Sequence, residues 1–119
     1  MDMDSALTIA LRSATSLPVY ALKSPSGAIA PFVIYQEISE TQMDTNHNGV
    51  GTVYQTRVQI THVAKTYSSL KSVVELVRNG ILASTSFLYV LPTSISFKRK
   101  EDNDIFTAIR DYMISWRNV

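Results

Sequence analysis

The chain has 119 residues, 45% of them apolar and 18% charged, with a formal net charge of +1. That is the size and composition of one globular domain able to bury a core of its own. With no cysteine in the sequence, disulfides, thiolate metal sites and cysteine nucleophiles are all excluded. The near-neutral balance gives no electrostatic footprint for nucleic acid.

The first sixty residues carry three Lys/Arg against five Asp/Glu, and the rest eight against five. The start, Met1-Asp2-Met3-Asp4, lacks the basic opening of a signal peptide, so a soluble cytoplasmic product is expected. The apolar-leaning run Phe87–Leu91 is far too short for a membrane span, and no membrane partner is expected.

Leu7, Ala10, Leu11 and Ala14 recur at helical spacing, and Asp4 or Ser5 suits a cap, so a short helix is predicted over 4–16. Pro18, Pro25, Gly27 and Pro31 punctuate the next stretch. Each proline disfavours helix before it, which predicts an extended linker with a short apolar anchor near Val19–Leu22. Phe32–Ser39 alternates as a strand. Residues 40–52 hold Asp44, Asn46, Asn48, Gly49 and Gly51 with few large apolar groups. They predict a polar arm, longer than a hairpin turn requires, that orders on contact with a neighbour.

Val53–Ala64 reads as a second strand. Tyr54, Thr56, Val58, Ile60 and His62 share one parity; Gln55, Arg57, Gln59 and Thr61 share the other. The first set predicts a buried face and the second a wet or interfacial one. Tyr67–Asn79 is predicted helical from Leu70, Val73, Val74 and Val77, capped by Thr66 and stopped at Gly80, with Ile81 folding back.

Apolar residues resume at Phe87–Leu91 until Pro92. A closing hairpin follows, with a charged tip at Lys100–Asp104 and bulky groups on both parities of its last arm. Such a strand is central, or half covered by a partner. The order is α-β-β-α-β-β. It predicts an α+β domain over 1–119, with a four-stranded, mainly antiparallel sheet and two helices on one face.

No catalytic constellation emerges. His47 and Asp44 have no further ligand at metal spacing, and His62 stands apart as a strand-end histidine. Glu101, Asp102 and Asp104 lack the glycine and closing glutamate of a calcium loop. Gly49-Val50-Gly51 lacks the lysine of a phosphate loop. Tyr20, Tyr35, Tyr54, Tyr67, Tyr89, Tyr112 and Trp116 stand mostly at strand spacing, where aromatics serve core or interface. Tyr112 and Trp116 are assigned to the core. No metal, cofactor or enzymatic activity is expected. The residues alone reach a binding or assembly domain.

One resemblance sharpens this. Leu17-Pro18-Val19-Tyr20, then Ala30-Pro31-Phe32-Val33-Ile34-Tyr35, a polar arm, the strand Tyr54–Ile60, an amphipathic helix and the closing Arg110–Trp116 run stand in an order that covers almost the whole chain. This order resembles the tail terminator, or tail completion, proteins of long-tailed bacteriophages and prophages. Where that family carries an acidic step near the end of its second strand, this chain has Thr61-His62 within Val58–Ala64.

The resemblance implies a homo-oligomeric ring, a hexamer, in the virion at the head–tail junction and assembled in the host cytoplasm. Such a ring closes head-to-tail, caps the head-proximal end of the tail tube and offers a surface to the head connector or stopper. Its partners would be the tail tube protein, the connector and DNA passing through the lumen without sequence recognition. On that basis Asp44, Asn46, His47, Asn48, Gln55, Arg57 and Gln59 are expected at a subunit or tube interface. Glu37 and Glu40 are expected to line the DNA channel, with Asp44 as a further candidate. A connector or stopper ring is the second reading, and a small enzyme the third.

Overall fold

A computed structural model describes residues 3–44, 52–100 and 105–118. The chain runs α1 (Met3–Thr15), β1 (Val19–Ala21), β2 (Phe32–Asp44), β3 (Thr52–Ala64), α2 (Tyr67–Ala83), β4 (Tyr89–Lys100) and β5 (Ile105–Asn118). The sheet has five strands in the order β1-β2-β3-β5-β4. The expected fold class stands as α+β with both helices on one sheet face. The expected four strands become five, and the sheet is mixed because β1 pairs with β2 in parallel. Three residues are too few to carry a periodic signal, which is why the sequence showed only an apolar anchor there.

The main strands are long. β3 pairs with β5 without a break from Thr52↔Asn118 to Ala64↔Phe106. β2 pairs with β3 through Asp44↔Val53, with register shifts between Glu37 and Ser39 and again between Gln42 and Asp44. β2 therefore runs beyond Ser39, and residues 40–44 of the expected arm are strand. Nothing in the polar composition of 40–42 opposes pairing, since those side chains are exposed and β3 supplies the ladder. Strands of this length leave the molecule elongated, 54 × 25 × 23 Å.

One parity of each strand builds the core under the helices. Val33 and Tyr35 of β2, Val58 and Ile60 of β3, and Tyr112, Ile114 and Trp116 of β5 pack with Met3, Leu7 and Leu11 of α1 and Val73, Val77 and Ile81 of α2. Tyr112 and Trp116 are thus core residues, as their spacing predicted. Removing about a dozen large side chains from water at roughly 1.5–3 kcal/mol each is the main force holding the helices down.

Thr66 caps α2, its side chain accepting from Ser69 N at 3.1 Å. The expected stop at Gly80 is overridden, and the helix continues to Ala83. A Cβ placed on Gly80 would collide with the Cβ of Ala14 and touch Ala10 O. Gly80 is therefore a close-approach residue that lets α1 and α2 meet backbone to backbone, not a left-handed terminator. α1 ends on Ser16, which takes φ 57° while its amide bonds Arg12 O at 3.0 Å.

β4 passes through Pro92 instead of stopping there. The ladder to β5 shifts register between Pro92 and Ile95, so the proline sits at an irregularity on an edge strand, where a missing donor is tolerated.

Candidate interaction surface

The other face of the sheet is built from the opposite parity. Gln55, Arg57, Gln59 and Thr61 of β3 stand beside Ser115, Met113, Asp111 and Ile109 of β5 in cross-strand register. Arg57 is exposed, and the rest of this group is half-buried. Among the described residues no helix covers this face. Only its lower end is closed, where Ala28 and Ala30 fold over Phe32, Ile34, Val63 and Ile105. Every described β5 residue of this parity from Ile105 to Arg117 is half-buried, so the face is an even mixture of apolar and polar groups.

Arg57 binds Asp111 within the protomer. Its Nη2 and Nε lie 2.6 and 3.2 Å from Asp111 Oδ2, with side chains 48% and 16% exposed. The strands fix this pair diagonally across the ladder, a geometry invisible to sequence spacing because 54 residues separate the partners. Thr93 Oγ1 also donates to Asp111 O at 2.9 Å, tying the irregular part of β4 to the same point. The cation expected to serve an interface is thus already oriented.

The sequence-predicted residues divide between two faces. Gln55, Arg57 and Gln59 share the uncovered face. Glu37 and Glu40 pair in register with Val58 and Thr56 and so belong to the helix-side parity, at the far half of β2. Both are exposed. Glu40 is also anchored, with Oε1 accepting from Thr56 Oγ1 at 3.4 Å. The β2 ladder reaches Asp44 opposite Val53. Asn46, His47, Asn48 and the tip residues Glu101, Asp102 and Asp104 lie outside the described residues.

His62 is fully buried, on the helix side of β3. Its Nδ1 lies 2.8 Å from Ala108 O, which makes it a donor there, and Nε2 has no hydrogen-bond partner. Burial pushes its pKa down to about 4, with the Ala108 carbonyl opposing and the charge of Arg110 reinforcing the shift. The ring is a neutral core element, and among the described residues no carboxylate pairs with it. Among the described residues no group of three metal-ligating side chains is assembled, and no helix is long and apolar enough to cross a membrane.

Sequence reasoning missed a second polar locus. Lys71, Glu75 and Arg78 of α2 line a cleft with Ile95 and Phe97 of β4 and Arg110 of β5. The helical spacing i, i+4, i+7 of the first three was readable. Arg110 comes from a strand more than thirty residues later and carries no sequence signal.

No family model and no curated protein sequence matches the chain. Among solved structures it is similar to a chain of a particle described as the virion of a native gene transfer agent. The TM-score is 0.67 at 12% sequence identity, with 98% of this chain and 95% of that chain covered. The two chains share a fold over essentially their full lengths.

Proposed function

We propose that this protein is a non-enzymatic structural subunit of a phage-like virion, and within it the tail terminator. The observation that carries the reading is the end-to-end fold likeness to a chain of a gene transfer agent virion. The order of residues and elements, which resembles the tail terminator family, narrows it to the terminator role. The uncovered sheet face and the long β2–β3 hairpin fit a protein that works through its exterior.

In this reading subunits join head-to-tail until the rotation closes on a ring of six. Gln55, Arg57 and Gln59 present hydrogen-bonding groups at a wet contact, and the Arg57–Asp111 pair keeps the guanidinium from sampling other rotamers. Asp44, Asn46, His47 and Asn48 are assigned to the same contact. Glu37 and Glu40, on the other face, repel DNA phosphates from the lumen wall. One face of the ring matches a tube layer and the other does not, so tube growth ends and the head connector docks.

The test has two parts. Mass measurement across a concentration series, with negative-stain images in the presence of tail tubes, should show a ring at one tube end. Particles assembled without the protein should carry tails of uncontrolled length that are not joined to heads. Tails of normal length on filled heads would overturn the proposal, and normal tails beside leaking heads would assign a stopper instead.

A further inference from the structure

Three cations converge on the cleft between α2 and the β4–β5 hairpin. Lys71 and Arg78 reach it from the helix and Arg110 from the sheet, around a space of about 280 Å³ that stays open to solvent past Phe97. The only carboxylate in its wall is Glu75. The Arg57–Asp111 ion pair lies on the opposite sheet face, and no ion pair within 4 Å joins Lys71, Arg78 or Arg110 to a carboxylate among the described residues. Lys71 is steered instead by two rings, its Nζ 5.7 Å from the centroid of Tyr67 and 5.3 Å from that of Phe97.

The back of the cleft holds a donor with nothing to donate to. Arg110 Nε is buried without a hydrogen-bond partner, and Arg110 is part of the cleft wall. Tyr112, two residues along the same face of β5, is fully buried outside that wall, and its hydroxyl interacts with Arg110. Native interiors leave few buried donors unpaired, and one at an open cationic cleft marks a place for an acceptor.

We propose that this cleft binds a phosphate-class dianion, either free inorganic phosphate or the terminal monoester phosphate of a larger molecule. The charge decides the class. Three cations and one carboxylate leave a surplus of two, which a dianion neutralises and a single carboxylate does not. The directions agree. Arg110 Nε approaches from the sheet, and Arg78 and Lys71 from the helix. Donors on several sides suit a tetrahedral oxyanion better than a flat one, and the guanidinium forks supply paired N–H groups. Nothing in this site depends on the ring reading above.

Titration calorimetry and thermal midpoints would test it with three probes at matched ionic strength. These are inorganic phosphate against chloride, a 5′-phosphorylated oligonucleotide, and the same oligonucleotide without its 5′-phosphate. Saturable binding of phosphate, of the phosphorylated strand, or of both is expected, and which of them binds names the source. Arg78→Gln, at a partly exposed helix position, should weaken binding by at least about tenfold, the equivalent of one charge-assisted hydrogen bond. Arg57→Gln, on the far face, should leave it unchanged. Absence of saturable binding by both phosphate and the phosphorylated strand, equal weakening by Arg57→Gln, or saturable binding of the strand without its 5′-phosphate as tight as that of the phosphorylated one would overturn the site.

Discussion

Trp116 and Thr56 are joined inside the core, the indole Nε1 donating to Thr56 Oγ1 at 2.9 Å. The same indole stacks on Tyr54, its register partner on β3, at a centroid distance of 5.0 Å. Thr56 passes its own proton on towards Glu40 Oε1 at 3.4 Å. A buried aromatic is thereby linked, through one hydroxyl, to an exposed carboxylate on the far half of β2.

Replacing that hydroxyl should be costly. Thr56→Val preserves shape but leaves the Trp116 N–H buried with no acceptor, a loss of about 1–3 kcal/mol. Thr56→Ser keeps the oxygen and should cost less than half as much. Urea midpoints of the two variants, with indole fluorescence reporting the Trp116 environment, would check the difference.

The Gly80–Ala14 approach makes an equally local prediction. Alanine is intrinsically better than glycine inside a helix by about 1 kcal/mol, yet a Cβ at Gly80 has no room against Ala14. Overpacking of this kind costs about 1–3 kcal/mol, so Gly80→Ala should lower the thermal midpoint. Adding Ala14→Gly should restore most of the loss. Additive destabilisation in the double variant would show that the two helices do not meet there.

His62 sets a pH dependence. Its folded pKa of about 4 lies below the ordinary value near 6.5, so the unfolded chain binds the extra proton between those two pH values. Stability contributed by the neutral ring is complete above about pH 6.5 and is lost as pH falls towards 4. The full swing is on the order of 3 kcal/mol. His62→Leu sacrifices the hydrogen bond to Ala108 O and should be less stable at pH 7. Its stability should nevertheless vary less between pH 6.5 and 4.5 than that of the natural chain. Parallel curves for the two proteins would contradict the assignment.

The elements that were legible in sequence were those with enough length to repeat a period. The buried parity of β3 and the Leu70–Val77 stripe of α2 both follow from side-chain spacing alone. β1 was too short to show a period, and β2 outran its apolar residues because pairing with β3, not composition, sets where a strand ends. Gly80 carried a local signal for a helix stop that a tertiary contact with α1 overrode. The uncovered face could be read from the polar parity Gln55, Arg57 and Gln59. The Arg57–Asp111 pair and the placing of Arg110 in the cleft could not, because each depends on β5 lying between β3 and β4. Topology of that kind leaves no mark on spacing.

Arg57 distinguishes a folding role from an assembly role. Its pair with Asp111 is nearly half exposed on the arginine side, and exposed pairs contribute at most about 1 kcal/mol. Arg57→Gln should therefore leave the urea midpoint of the isolated chain within that margin. At a subunit contact the same change removes an oriented donor and leaves Asp111 without its cation as the face is covered, which costs more than it does in solvent. The assembled fraction on tail tubes should fall well below that of the natural protein at equal concentration. Arg12→Gln, exposed on α1 on the opposite side of the sheet, is the matched control for loss of one positive charge. If Arg57→Gln and Arg12→Gln assemble equally well, the uncovered face is not where subunits or tube layers meet, and the contact belongs to the β2–β3 hairpin end instead.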